Sequence, residues 1–420
     1  MNEPLDSPAR LASLFARLGK ADCIGLAVSG GADSLALMVL AARWRDAQQT
    51  PPRMVVYALD HGLRPEAEGE VAFVCECAAR YGLEARALRW AGDKPQSGVQ
   101  AAARVARYRL IGAAMQEDGC TVLLTAHHRR DQAETVLMRL AHGSGVEGLR
   151  GMDFVSEIEG VTVMRPLLDA DPDALAALVR REGLVPVVDP SNLDTDYERV
   201  RWRQALPQLA DLGLDAATLV RFARRMGEAD AALGEIADAA FDAVVALDGF
   251  GAAEIDREAL RKLSPAIGQR VLARTLRVVG GRQKPNALAP VEALAERLRG
   301  GEEIARTTLL GTILRADADI VVLAREPGRA RPADSALAPG TAITWDRRFR
   351  IVNHSAADAF TAGLADYLPR HRLRDVLGFK VMAPAEAIRT APVVRDEGGA
   401  VLALGAYCFD ERVSVDLLRD

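Results

Sequence analysis

Aromatic residues are scarce in this chain of 420 residues, only 5% of the total, and cysteine and lysine are scarcer still. The five cysteines, Cys23, Cys75, Cys77, Cys120 and Cys408, are odd in number and scattered. They form no C-x-x-C pair, which excludes the usual zinc and iron–sulfur spacings and predicts no disulfide framework. Such usage fits a reducing compartment, so a cytoplasmic protein is expected. No run of about 18 uncharged apolar residues occurs, so no membrane span and no membrane partner are expected. The start, Met1-Asn2-Glu3-Pro4-Leu5-Asp6, lacks the apolar core of a secretion signal. Neither sign of charge dominates. A net charge of −5 excludes a surface that is basic throughout, but not a local basic groove. Of the 53 basic residues only five are lysine, and most of the arginine surplus reads as compositional background.

What is present is globular. Hydrophobic residues make up 49% and charged residues 26%, and the length predicts two or three domains. Short apolar runs at 23–28, 54–59, 83–88, 120–125, 161–164 and 185–188 read as buried strands. Amphipathic helices are expected between them, over about 8–18, 34–46, 65–81, 96–117, 131–142 and 171–182. Apolar strands alternating with helices predict a doubly wound, mostly parallel α/β sheet with right-handed crossovers. From Tyr197 to about Leu247 the pattern is helical, and 327–335 has the composition of a linker. The last 85 or so residues lean toward β structure. The expected domains are 1–210, a mainly helical 211–326, and a small 336–420.

The sharpest local signal is Val28-Ser29-Gly30-Gly31-Ala32-Asp33-Ser34, where an apolar strand runs into a glycine turn and then a helix. Two glycines let backbone N–H groups close on an anion, and the helix N-terminus adds its positive end. The hydroxyls of Ser29 and Ser34 can donate to phosphate oxygens. Asp33 would repel a phosphate on its own, but makes sense as a ligand for Mg²⁺ bridging to phosphates. No lysine stands in the loop, so the G-x-x-x-x-G-K-[ST] pattern is absent.

A second constellation is Thr125-Ala126-His127-His128-Arg129-Arg130-Asp131-Gln132-Ala133-Glu134-Thr135, at another strand end. Ligands bind at such ends in open α/β sheets. Asp131 and Glu134 share one helix face, where two carboxylates can hold a metal or an ammonium group, or merely suit the helix dipole. His127 and His128 read either as loop-cap residues or as bases near a phosphoryl site, with His128 the candidate base. Tyr197–Arg225 holds Arg199, Arg201, Arg203, Arg221, Arg224 and Arg225 against three acids, a local surplus of +3, with Trp202 among them. Phosphate contact by these arginines, and stacking or core packing by Trp202, are both open.

Ser29-Gly30-Gly31-x-Asp33-Ser34 resembles the pyrophosphate-binding loop of the PP-loop ATPases, which split ATP into AMP and pyrophosphate. The second segment resembles the H-H-x-D-D-Q-x-E-T motif of the tRNA(Ile)-lysidine synthases within that superfamily. Further segments follow in that family's order. They are Leu59-Asp60-His61-Gly62-Leu63-Arg64, Gln100-Ala101-x-Ala103-Arg104-x-x-Arg107-Tyr108, and Gly143-Ser144-Gly145-x-x-Gly148-Leu149-x-Gly151-Met152. After them come Arg165-Pro166-Leu167-Leu168, and Asp189-Pro190-Ser191-Asn192 with Tyr197-x-Arg199-x-Arg201-x-Arg203. The resemblance covers about three quarters of the chain, and ordered motifs make it far more specific than the loop alone. Two positions depart from it. Arg130 stands where the family usually has Asp, and Val200 where it usually has Asn.

The resemblance implies an adenine nucleotide alpha hydrolase-like fold and an ATP-dependent ligase. The enzyme would join free L-lysine to C2 of the wobble cytidine (C34) of tRNA(Ile) with a CAU anticodon, through an adenylated tRNA, releasing AMP and pyrophosphate. Ser29, Gly30, Gly31, Ala32, Asp33 and Ser34 would bind ATP. Asp33 and Asp131 would hold Mg²⁺, and Arg104 would clamp a phosphate. Asp131 and Glu134 would seat lysine, and His128 or a carboxylate would take the amine's proton. Arg199, Arg201 and Arg203 would contact tRNA. Arg130 would depress the pKa of its neighbour Asp131 or contact phosphate. A tRNA thiolase and an inactive nucleotide- or RNA-binding homologue are the alternatives, and oligomeric state stays open, a homodimer included.

Overall fold

The computed structural model describes residues 4–19, 21–62, 66–92, 94–95, 98–188, 194–281, 288–328, 331–365 and 370–419, with the side chains of 370–372 left aside. Leu63, Arg64 and the segment Asp189-Pro190-Ser191-Asn192 therefore lie outside the described residues. Two compact units emerge, Met1–Asp230 and Ala231–Asp420. Among the described residues, no helix is long and apolar enough to cross a membrane.

The first unit begins with α1 (Pro8–Phe15), capped by the Ser7 hydroxyl with proline in its first turn. There follow β1 (Cys23–Ala27), α2 (Ala32–Asp46), β2 (Arg53–Asp60), α3 (Ala67–Arg80), β3 (Glu84–Arg89), α4 (Val99–Asp118) and β4 (Val122–Leu124). Next come α5 (Arg129–Ala141), α6 (Val146–Leu149), β5 (Val155–Ile158), β6 (Val161–Met164), α7 (Pro172–Arg181) and α8 (Glu198–Asp211), and the unit boundary falls within α9 (Ala216–Val244). The sheet order is β3-β2-β1-β4-β6-β5. All pairings are parallel except β5 with β6. The chain moves outward from β1 to β3, then returns to lay β4 on the other side of β1. That reversal leaves a crevice beyond the ends of β1 and β4, where such sheets bind ligands.

Burial explains the sequence pattern. From Leu35 to Ala42 every residue of α2 is buried, because the helix packs between the sheet, α1 and α7. A helix apolar on all sides needs such enclosure. Each buried leucine there contributes roughly 1.5–3 kcal/mol. The opposite face of the sheet packs Tyr57, Tyr108, Ile111, Met115 and Val163.

Two expectations fail. The apolar run 185–188 is no strand: Val185 and Val188 are exposed, and Pro186 interrupts the donors a ladder needs. Val187 instead donates its N–H to the Gly30 carbonyl, at 2.9 Å. The expectation of no disulfide also fails. Parallel pairing of β1 with β4 brings Cys23 beside Cys120 from 97 residues away, and the two are joined.

In the second unit, strands Val245–Leu247, Ala253–Asp256, Ile304–Leu309, Thr312–Ala316 and Ile320–Arg325 form one sheet. Helices Pro265–Gly280 and Leu288–Arg299 contribute to the same core. Arg257 is fully buried among them and donates to the carbonyls of Leu298, Glu302 and Asp317. The β-leaning tail forms two further sheets, in which Ala342–Trp345 pairs with Phe349–Asn353 and Pro392–Arg395 with Val401–Leu404. Strand Phe360–Leu364 pairs with Pro392–Arg395 in one of them and Val413–Leu417 with Phe349–Asn353 in the other.

Candidate active site

The glycine loop leaves β1 at Val28 and enters α2 at Ala32. Gly30 has φ +84°, and a Cβ there would lie 3.0 Å from Val187 Cγ2 and 3.4 Å from Val74 Cγ2. Conformation and space both require glycine. Ser34 Oγ donates to the Gly31 carbonyl at 2.9 Å and accepts from the Ser29 N–H at 3.2 Å. The first N–H groups of α2, from Ala32 to Ser34, have no partner within the helix and converge with the serine hydroxyls. All six expected nucleotide-binding residues, Ser29 to Ser34, thus stand in one loop of donors.

Asp33 and the second constellation meet across the crevice. His128 Nε2 lies 3.3 Å from Asp33 Oδ2. His128 is also the N-cap of α5. Its Nδ1 accepts the N–H groups of Arg130 and Asp131, while Asp131 Oδ2 accepts the N–H of His128 at 2.9 Å. This reciprocal cap is normally built from Ser or Thr with Glu or Gln, so the expected helix start, at Asp131, fell two residues late. Burial disfavours the charged form of His128. The Asp33 hydrogen bond and the Asp131 and Asp33 charges outweigh that and raise its pKa.

Asp131 and Glu134 are not a bare acidic pair. Arg199 donates to Asp131 Oδ1 through its outer nitrogen and to Glu134 Oε2 through Nε, both at 2.7 Å. Arg203 Nε donates to Glu134 Oε1 at 2.7 Å. Glu134 has no exposed surface, whereas each arginine keeps more than a third of its side chain exposed. Burial raises the pKa of Asp131, but His128 and Arg199 beside it bring it below the ordinary value. Arg130, expected to have that effect, reaches only the exposed Asp173, at 3.6 Å. The place of Val200 is equally plain: it is buried, on the inner side of α8.

α8 brings these arginines in because it packs on α5. Leu206, Leu219 and Ala223 form a small core with Ala133, Val136 and Leu137, and Trp202 packs against it with Nε1 donating to Glu198. Arg199 and Arg203, one helical turn apart, face inward. Arg201 faces away and donates to the carbonyls of Thr195 and Asp196. The +3 count along this segment therefore overstates its free positive charge.

The neighbouring residues complete the site. His127 is half-buried and bonded to Thr125 Oγ1 at 3.0 Å. Burial chiefly, then Arg165, Arg199 and Arg104, push its pKa down to about 4 against the pull of Asp131, so it is neutral at pH 7. Arg165, just after β6, is buried, its guanidinium donates to the Asp153 carbonyl, and its Nε has no partner among the described residues. Gln132 pairs with both backbone groups of Met152, at 2.6 and 2.9 Å. Its amide passes so close to Gly151, where φ is +73°, that any Cβ would clash at 2.7 Å. The glycine-rich motif after α5 is thus a brace for that helix. Arg104 is exposed on α4 with its guanidinium over the Tyr108 ring.

The residues present fit a divalent cation at Asp33, whose side chain is 44% exposed and, among the described residues, bonded only to His128. They fit less well at Asp131, since its two oxygens hold Arg199 and the α5 cap.

Comparison with known proteins bears on the same residues. The PP-loop domain family matches residues 5–210. A tRNA(Ile)-lysidine synthase of Rhodopseudomonas palustris is 45% identical over 75% of this chain and 94% of its own length. A tRNA(Ile)-lysidine synthase of a Bradyrhizobium species is 40% identical over 78% of this chain and 94% of its own. Among solved structures, the U34-tRNA thiolase NcsA of Methanococcus maripaludis, with its [4Fe-4S] cluster, aligns with a TM-score of 0.45 at 18% identity. That match covers 52% of this chain and 78% of the thiolase.

Proposed function

The chain belongs to the tRNA(Ile)-lysidine synthase family, and from that premise we propose that it ligates free L-lysine to C2 of the wobble cytidine C34 in tRNA(Ile) with a CAU anticodon. The reaction uses ATP, passes through an adenylated tRNA, and releases AMP and pyrophosphate. One observation carries the reading: a phosphate-binding loop and a carboxylate–guanidinium cluster face each other across one crevice, joined by the Asp33–His128 contact.

The chemistry follows from what each group can do. The N–H groups of Ala32 to Ser34 and the Ser29 hydroxyl hold the departing pyrophosphate, while the Ser34 hydroxyl, donated to the Gly31 carbonyl, ties the loop in shape. Mg²⁺ at Asp33, when bound, supplies charge neutralisation at the reacting phosphate. Arg104 lies on the same side as His127 and Arg165 and is the exposed cation for a phosphate of ATP or of the adenylate. Adenylation of the cytidine O2 makes it leave as AMP, which frees C2 for the amine of lysine.

Lysine as a free amino acid carries both signs of charge, and the cluster offers both. Asp131 suits an ammonium. Arg199, over a third exposed, suits the α-carboxylate through the outer nitrogen it does not spend on Asp131 and Glu134. Glu134 is enclosed and keeps Arg199 and Arg203 in place, so its part in seating lysine is indirect. The attacking amine must lose a proton after C–N bond formation. His128 is poorly placed to take it, because Nδ1 is committed to the α5 cap. His127, neutral at pH 7 and next to Asp131 in the field of the site, is the better acceptor. Arg201, clear of the carboxylates, remains the tRNA contact of α8.

The thiolase alternative requires a route for sulfur. Cys23 and Cys120 are joined to each other, Cys77 is buried in the core, and Cys75 and Cys77 are two residues apart rather than a C-x-x-C pair, so these four offer no paired free thiols for such a route. The test is labelled lysine with an unmodified tRNA(Ile) transcript and Mg-ATP, beside a transcript carrying U at position 34. Label in the C34 transcript alone is expected. Label in both, or sulfur transfer with no label, overturns the assignment.

A further inference from the structure

The inward turn of Arg199 and Arg203 leaves the question of which surface holds the nucleic acid. On the other flank of the crevice, at the ends of β2 and β3, a second set of cations is assembled from three elements. Arg104 and Arg107 stand one turn apart on α4, both exposed. Arg107 lies 3.0 Å from His61 Nε2, just beyond the end of β2. Gly62, next in the chain, is so close to the loop after β3 that a Cβ on it would lie 3.7 Å from Lys94 Nζ. Lys94 Nζ sits 4.0 Å from the centre of the Trp90 ring, and Trp90 is only half-buried. Arg89, 70% exposed, completes the row.

The charge of this row is poorly compensated. Asp60 lies 3.4 Å from Arg89 and otherwise accepts the Gly62 N–H. Among the described residues no carboxylate is within ion-pair distance of Lys94, Arg104 or Arg107. Like charges one turn apart on a helix destabilise it unless something anionic intervenes. The half-buried indole of Trp90, with the Lys94 ammonium over its ring, brings an aromatic surface into the row as well.

We propose that this row, Arg89, Trp90, Lys94 and Arg107, is the surface that receives the single-stranded anticodon loop of the tRNA, a base stacking on Trp90 and backbone phosphates passing Lys94 and Arg107. A loop fits better than a duplex because only an unstacked base offers its face to an aromatic side chain. The row leads through Arg104 to the crevice, so a nucleotide held on it lies next to the one that must enter the site. The proposal rests on the reading of the substrate as tRNA.

The test uses the full chain and a synthetic anticodon stem-loop, with binding measured by fluorescence anisotropy between 50 and 200 mM salt as an on-the-order-of fourfold titration range. The double substitution K94A and R107A is expected to weaken binding about tenfold at low salt and to reduce the salt slope by about 1.4, at ~0.7 per single-strand phosphate contact. Trp90→Ala is expected to weaken binding severalfold with the slope kept, and Trp90→Phe to restore it. In steady-state assays the KM for tRNA rises while kcat and the KM for ATP hold. Thermal melting checks that the variants fold. Unchanged affinity and slope in folded K94A and R107A, or equal weakening toward a blunt duplex lacking the loop, overturns the proposal. Wild-type protein that binds the stem-loop through this row but incorporates no lysine overturns the ligase reading alone.

Discussion

Arg199 bridges Asp131 and Glu134 with two 2.7 Å hydrogen bonds from one guanidinium, so a helix from the end of the catalytic segment closes the site begun by α5. The bridge has energetic consequences. Glu134→Ala leaves Arg199 and Arg203 facing each other over a void. A loss of about 2–3 kcal/mol is expected, below the ~3–5 for a fully enclosed pair, because both arginines retain contact with water. Urea unfolding of the variant measures it. Glu134→Gln keeps the shape but not the charge and should fall between the two.

Arg199 and Arg201 sit two residues apart and should separate cleanly in kinetics. Arg199→Ala is expected to raise the KM for lysine and lower kcat, with little change in the salt dependence of tRNA binding. Arg201→Ala is expected to raise the KM for tRNA and to reduce the salt slope by about 0.7–0.9, the value of one phosphate contact. A shared phenotype for the two would assign both to one partner.

His127 makes acid sensitivity a test of the site. Its folded pKa of about 4 lies below the ordinary value of ~6.5. Between those values the unfolded chain binds a proton that the folded chain refuses, so stability falls as pH drops from about 6.5 to 4. His128 acts in the opposite sense. Its pKa is raised, so its contribution is complete below ~6.5 and is lost as pH rises through its folded value. His127→Gln removes only the first effect. Unfolding free energies at pH 5, 6 and 7 should therefore rise less steeply with pH in H127Q than in the parent chain.

Gly30→Ala should cost about 1–2 kcal/mol from its positive φ and should abolish ATP-dependent turnover, because the new methyl group meets Val187. Val187→Ala in the same chain removes the nearest contact but not the backbone strain. It is expected to recover part of the lost stability and little of the turnover.

The loop Ser29–Ser34 was legible because its punctuation is local: a strand, two glycines, a helix. The parallel sheet was legible for a similar reason, since its strands are continuous apolar runs. Three features were hidden. The inward turn of Arg199 depends on α8 packing against α5, a contact across 65 residues that no spacing reveals. The reciprocal partnership of His128 with Asp131, which turns a loop cap into the start of α5, falls outside the residue types that usually signal one. In the second unit, strands such as Ala253–Asp256 and Ser335–Leu337 are three or four residues long, too short for alternation to register. The valines at 185–188 misled because apolar character marks burial only when something covers it.

The hydrogen bond from Val187 to the Gly30 carbonyl has a bearing on biosynthesis. The ribosome delivers the glycine loop early, but the group that orients its peptide emerges more than about 150 residues later, when most of the sheet has had time to assemble. A nascent chain stalled short of Val187 carries the loop's residues without their clasp. The loop's final geometry is thus expected to form late in synthesis, once the strap after α7 has left the exit tunnel.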